Sequence, residues 1–197
     1  MKTTHLVFAT MMLAVLSSTA GDRLPTIEVL YPNYPLPGLF RSFRETDLKE
    51  SEAAILGEGG KVYVKAHLHK GLYEVQHKDI SDWLRLNWVS SPNQEIAEAK
   101  YGIADFDWVS TGASASDYGV IQVLQLCDGR LKITQQIVFN TRGSNKAGAT
   151  FDPKTNTLTI RGIHGWEHCC ASQLDVVQFR FAGNTLQRVS YRQIPLA

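Results

Sequence analysis

The stretch from Tyr118 to Phe139, YGVIQVLQLCDGRLKITQQIVF, decides the fold of this chain. Two runs rich in apolar residues flank CDGR, and the pair Asp128–Gly129 is typical of a two-residue hairpin turn. We therefore predict two long strands that pair in antiparallel order around this turn.

Further strand patterns occur on both sides of the hairpin. Downstream lie TLTIRGI, LDVVQFRF and TLQRVSYR, with the turn AGN between the last two. Upstream, KVYVKAHLH alternates apolar and polar residues, and LYEVQH can return after Gly71 as a second strand. The predicted fold class is mainly β (or α+β), an antiparallel sheet or a partly open barrel with one or two short helices.

Two segments have the sequence pattern of a helix start. Asp47 and Glu50 have capping-box spacing, which predicts a helix over 48–56 that ends at Gly57. SSPNQ places a serine before a proline and a glutamine, which predicts a second short helix over about 91–100. DWLRLNWV, just upstream, fits a helix or a strand equally well.

The N-terminus has the pattern of an export signal. Lys2 precedes an apolar run over residues 6–16, and small residues stand just before Gly21. We expect a signal peptide over 1–20, cleaved after Ala20, and a secreted or periplasmic product. Residues 21–197 would form a single domain in three parts: 21–60 irregular with a short helix, 61–100 with strands and a short helix, and 101–197 a β-module with a cysteine pair.

Charge and composition exclude several classes of partner. The formal net charge is +1, and 20 basic and 19 acidic side chains alternate without long runs. A basic footprint for nucleic acid or anionic lipid is therefore not predicted. The apolar run at the N-terminus is too short for a stable membrane span, and no motif predicts a cofactor.

The three cysteines predict a disulfide, because exported proteins fold in an oxidising compartment. Cys127 could pair with Cys169 or with Cys170, or the last two could form a vicinal bond. A bridge from Cys127 would close a long loop and stabilise the fold by about 3–4 kcal/mol.

The stretch RGIHGWEHCCASQ contains His164, Glu167 and His168 in the order H-x-x-E-H, which occurs in zinc proteases. That chemistry needs a helix to place both imidazoles on one face. Gly162 and Gly165 weaken a helix here, and the flanking segments have strand patterns. A loop between strands is the favoured interpretation, and a metal site remains the alternative.

Two other groups of side chains are candidate metal ligands. His67 and His69 alternate on a predicted strand, with His77 beyond the turn, but a solvated strand face is the favoured interpretation. ADFDWVSTGASASDYG offers aspartates that could bind calcium, but Trp108 and Val109 interrupt the EF-hand spacing. A polar loop with Trp108 packed inward is the favoured interpretation.

Four tryptophans are many for a chain of this length: Trp83, Trp88, Trp108 and Trp166. Such large side chains usually fill a core. Exposed at a groove, they would instead suit the apolar faces of sugar rings.

The C-terminal half resembles a group of small, mostly uncharacterised exported bacterial proteins and lipoproteins. The resemblance rests on VLQLCDGRLKI and EHCCASQLDVVQFRF, with matches at Cys169, Cys170, Ser172, Gly183 and Leu186. Glu167 stands near the position of the group's acid, whereas Ala171 replaces the usual proline. The resemblance implies a β-module with a cysteine pair and no particular activity.

These observations predict an exported, non-enzymatic protein that binds a protein or a cell-envelope component, because no complete catalytic set is present. The alternatives are a metal-dependent hydrolase that uses the H-x-x-E-H stretch and a glycan-binding module that uses the tryptophans.

Overall fold

The computed structural model describes residues 27–40, 42–57, 59, 61–77, 80–92, 99–110, 116–142, 144–165 and 172–196, and only the backbone of 75–77, 80, 81, 110 and 116. One helix and thirteen strands lie in these ranges. They are β1 (Ile27–Leu30), β2 (Tyr34–Pro35), α1 (Glu45–Leu48), β3 (Glu52–Leu56), β4 (Val62–His67), β5 (Leu72–His77), β6 (Ile80–Ser90), β7 (Tyr101–Ser110), β8 (Ser116–Cys127), β9 (Arg130–Asn140), β10 (Gly148–Asp152), β11 (Thr157–Ile163), β12 (Gln173–Ala182) and β13 (Thr185–Pro195).

The strands form three antiparallel sheets. The central sheet has seven strands in the order β1-β9-β8-β7-β6-β5, with β2 also paired to β9. A four-stranded sheet has the order β10-β11-β12-β13, and β3 and β4 form a separate hairpin. The predicted mainly β, antiparallel fold with a short helix is confirmed.

The hairpin predicted from the opening stretch is β8 and β9. Cys127 pairs with Arg130 across a turn in which Asp128 has φ 50° and Gly129 has φ 73°. Two consecutive left-handed residues match the right-handed twist of the strands, which is why an Asp–Gly pair is favoured there.

The middle of the central sheet, at β8 and β9, is buried on both faces. In β8 the neighbours Val120 and Ile121 point to opposite sides and belong to different hydrophobic clusters. The first cluster packs against the β3–β4 hairpin and the segment before it, and the second packs against the four-stranded sheet. Burial on both faces explains why β8 and β9 contain consecutive apolar residues, such as Val120–Ile121 and Ile137–Phe139.

The helix predicted over 48–56 is wrong. The structure has one turn of helix in α1, and the segment continues as β3, whose last four residues are buried. The Glu50 side chain, instead of capping a helix, accepts a hydrogen bond from the backbone N–H of Lys70 at 2.9 Å. The pairing of β3 with β4 and the burial of β3 therefore outweigh the local capping pattern.

Other local predictions have mixed outcomes. DWLRLNWV lies in β6, and ADFDWVS lies in β7, so the polar loop predicted for this segment is wrong up to Ser110. Residues 93–98 of the second predicted helix lie outside the described residues. No helix in the part of the chain that the structure describes has the length and apolarity to cross a membrane.

Candidate functional site

A groove lies on one face of β6 and β7. This face is on the same side of the central sheet as the four-stranded sheet. In the register of these strands Trp83 pairs with Val109, and Arg85 pairs with Asp107. Because side chains alternate along a strand, these four share one face. We call the space above them the Trp83 groove.

A planar ion pair and an indole ring form the floor of this groove. One guanidinium nitrogen of Arg85 donates to the Asp107 carboxylate at 2.6 Å, and both side chains remain partly exposed. The guanidinium carbon of Arg85 also lies 5.4 Å from the centroid of the Trp83 ring, within cation–π range. The Asp107 carboxylate and the Trp83 ring thus both orient the Arg85 side chain.

Residues of the connection from β9 to β10 border the groove, which has a volume of about 310 Å³. Backbone N–H groups of Thr141 and Arg142 donate to the carbonyl of Asp117 at 2.9 and 3.3 Å, which ties this connection to β8. The remaining lining residues are Asp117, Tyr118, Thr141, Ser144, Ala147 and Gly148. A cavity of this size, with an aromatic ring and a few fixed polar groups, is typical of a small-ligand site.

Asp105 lies beside the ion pair and is almost fully buried. Burial is the main cause that raises the pKa of its carboxyl to about 7, and the nearby Asp107 carboxylate raises it further. Hydrogen bonds from Asn87 and Trp88 and the charge of Arg85 oppose this shift. Near neutral pH, therefore, Asp105 is only partly ionised, and Arg85 is paired directly with Asp107.

The candidate metal ligands do not converge in the described residues. His67 lies 3.5 Å from a Glu52 oxygen and His69 lies 3.1 Å from a Glu50 oxygen, both as exposed pairs, and the side chain of His77 is not described. Within the described ranges no group of three or more His, Cys, Asp or Glu side chains is placed to hold a metal.

His164 has a partner that its sequence motif does not include. It follows β11, and its Nδ1 lies 2.9 Å from Oδ2 of Asp175, a fully buried residue of β12. The Tyr191 hydroxyl donates to Oδ1 of Asp175 at 2.8 Å, and the Gln193 amide donates to the same oxygen at 3.2 Å. Burial, followed by the hydrogen bond to Asp175, raises the pKa of Tyr191 to about 12.

Asp175 orients His164 through Nδ1, and the Gln193 amide nitrogen lies 2.9 Å from Nδ1 and 3.4 Å from Nε2 of the same imidazole. Glu167 and His168 lie outside the described residues, so the H-x-x-E-H metal site stays a prediction. Sequence reasoning treated Asp175 only as a strand residue, because a partner across a sheet leaves no local spacing signal.

The tryptophans have separate environments. Trp88 is partly buried against the second hydrophobic cluster, whereas Trp108 stacks between Tyr63 and Tyr118 on the other face of the sheet. Trp166 lies outside the described residues. The inward packing predicted for Trp108 is consistent with its contact with the first cluster.

Cys127 is a free, exposed cysteine in this structure. It borders the Asp128–Gly129 turn, whereas Gly165 accepts a hydrogen bond from Asn140, at the other end of β9. Cys169 and Cys170 lie outside the described residues, so a disulfide between them stays a prediction.

No protein-family model matches the chain, and no curated protein or solved structure matches it either.

Proposed function

We propose that this chain is an exported, non-enzymatic binding protein and that the Trp83 groove takes a glycan of the cell envelope. The observation that carries the proposal is the strip of Trp83, Arg85 and Asp107 on the floor of the groove. The sequence also predicted a protein as a possible partner. Such a partner would require a broad surface rather than a groove of this volume.

The chemistry of the strip fits a sugar ring. A pyranose has an apolar C–H face and an edge of hydroxyl groups, so it needs an apolar surface and directional polar partners. Trp83 supplies the surface, Arg85 donates to hydroxyl oxygens, and the Asp107 carboxylate accepts from hydroxyl groups. Because the ion pair is already formed, little ordering of side chains is needed on binding.

Thr141 and Ser144 also line the groove, and their side chains are neutral donors and acceptors. Their segment is held by backbone hydrogen bonds, including one from Ser144 N–H to the Thr141 carbonyl at 2.9 Å. The backbone of this wall is therefore held in place before a ligand arrives, which lowers the ordering cost of binding.

The proposal is tested by titrating the mature protein with soluble peptidoglycan fragments and with chitooligosaccharides, with calorimetry as the readout. Arg85→Met keeps the length of the side chain but removes its donors, and we expect it to weaken binding by about tenfold or more. Arg130→Met, an exposed arginine beside the β8–β9 turn, is the matched control and should bind like the unmodified protein.

Thermal melts of both variants show whether each remains folded. If the unmodified protein binds neither class of probe, or if folded Arg85→Met binds as tightly as the unmodified protein, the assignment of the groove is wrong.

A further inference from the structure

A second pocket lies on the opposite face of the same strands. Leu84 pairs with Trp108 next to the Trp83–Val109 pair, and the alternation of side chains sends these two pairs to opposite sides of the sheet. The pocket has a volume of about 330 Å³ and lies between the central sheet and the β3–β4 hairpin. Its lining residues are Glu28, Ile55, Leu56, Gly57, Tyr63, Trp108, Tyr118 and Val138.

Three aromatic rings form one wall of this pocket. The centroids of Tyr63 and Trp108 are 6.2 Å apart with an interplanar angle of 18°, and those of Trp108 and Tyr118 are 5.1 Å apart at 27°. We call this set the aromatic row. Tyr63, at its outer end, is 55% exposed, which leaves ring surface available to a ligand.

The position of Tyr63 depends on a glycine beneath it. A Cβ atom on Gly57 would lie 2.0 Å from Cε2 of Tyr63, so any other residue here would displace the ring. The Gly57 N–H donates to the Lys61 carbonyl at 2.7 Å, and the Lys61 ammonium lies 5.5 Å from the Tyr63 centroid. The end of the β3–β4 hairpin thus places a ring and a cation together at the pocket edge.

Charged groups at the edge complement the rings. Glu28, on β1 opposite Val138, is exposed and brings a carboxylate acceptor to the pocket. Lys61 brings donors to the Tyr63 side. Flat aromatic surface with one acceptor and one donor group is the combination that an uncharged, hydroxyl-bearing ring requires.

We propose that the aromatic row is a second glycan subsite, specific for an uncharged pyranose, and that one molecule binds two glycan segments on opposite faces of its central sheet. The class of ligand rests on the function proposed for the Trp83 groove, whereas the pocket is a separate one whose lining shares only Tyr118 with that groove. A protein with two such sites bridges neighbouring glycan chains and gains avidity on a polymer.

Calorimetric stoichiometry with short chitooligosaccharides and with peptidoglycan fragments tests this proposal. We expect two sites in the unmodified protein, one in Tyr63→Ala, one in Arg85→Met and none in the double variant. Tyr31→Ala, which removes another exposed tyrosine, is the control and should keep both sites. Thermal melts establish that each variant is folded.

The two proposals fail in different ways. If Arg85→Met abolishes all binding and Tyr63→Ala keeps the stoichiometry of the unmodified protein, the second subsite is wrong and the Trp83 groove stands. If Tyr63→Ala loses a site and Arg85→Met loses none, the row is a site and the function proposed for the Trp83 groove is wrong. Absence of binding to every probe overturns both.

Discussion

Two adjacent buried glutamines connect the layers of this protein. Gln135 exchanges two hydrogen bonds with the backbone of Leu186 in the four-stranded sheet: its Oε1 accepts at 2.7 Å and its Nε2 donates at 2.9 Å. Gln136 points to the other face and makes the same pair of bonds with Leu56 in β3, at 3.2 and 2.6 Å. Each side chain satisfies backbone groups that strand pairing leaves without partners.

Replacement of Gln135 by Met should therefore be costly although the volume is similar. The buried N–H and carbonyl of Leu186 would lose both side-chain partners, which lowers the free energy of unfolding by about 2–4 kcal/mol. Urea unfolding measures this loss, and hydrogen exchange should accelerate at the Leu186 amide in particular. Gln187→Met, at an exposed neighbouring position, is the control, and an equal loss in both variants would contradict the role of Gln135.

Asp105 gives the stability a dependence on pH. Its carboxyl has a pKa of about 7 in the folded protein, raised chiefly by burial, against about 4 when unfolded. Its contribution is therefore fully present below pH 4 and is lost as the pH rises to about 7. Asp105→Asn does not titrate, so its stability relative to the unmodified protein should increase by roughly 2–4 kcal/mol between pH 4 and pH 8.

Urea unfolding of both proteins at several pH values checks this expectation. Asp128→Asn, an exposed substitution in the β8–β9 turn, is the control and should follow the unmodified protein throughout. A difference between Asp105→Asn and the unmodified protein that stays constant with pH would mean that Asp105 is ionised in the fold at little cost.

Among the secondary-structure elements, the sequence best predicts those whose conformation depends on residues close together in the chain. The β8–β9 hairpin was predictable because Asp128 and Gly129 adopt the left-handed conformations that their residue types favour. The segment from Glu52 to Leu56 was mispredicted as helix, because the capping pattern is local whereas its burial depends on β4 and on Gln136, far along the chain. Tertiary contacts determine the secondary structure of such segments, and these contacts leave no periodic pattern in the sequence.

The candidate sites show the same difference between features that depend on neighbouring residues and features that depend on distant ones. Tryptophans were recognised as possible sugar platforms from composition alone, but nothing in the sequence pairs Arg85 with Asp107, since register joins residues that are far apart in the chain. The pairing of His164 with Asp175 has the same origin. A charged residue flanked by apolar ones, such as Asp175 between Leu174 and Val176, is the local signal that could have indicated a buried polar partner.

At the scale of the whole molecule, the layers determine what can meet. The central sheet lies between the Trp83 groove and the pocket beside the aromatic row, and Tyr118 lines both pockets. A single short ligand cannot fill both pockets, whereas neighbouring chains of a polymer can. The bridging proposed above is thus a consequence of a sheet that is covered only in part on each face.

The length of β9 gives a last prediction, about the cysteines. Cys127 borders one end of β9, and Gly165 contacts Asn140 at the other, a separation of roughly 30 Å for ten residues of strand. The four residues from Gly165 to Cys169 extend at most about 14 Å, and a disulfide needs Cα atoms within about 7 Å. This reach disfavours a bridge from Cys127 to Cys169, whereas a bridge to Cys170 stays a prediction, and Cys127 is a free, exposed cysteine in the described structure.

Iodoacetamide should alkylate Cys127 in the native, unreduced protein, and Cys127→Ser should change the unfolding free energy by less than about 0.5 kcal/mol. Peptide mapping after labelling, with a reduced sample as the control, measures the first outcome, and a cross-linked peptide that contains Cys127 would contradict the prediction.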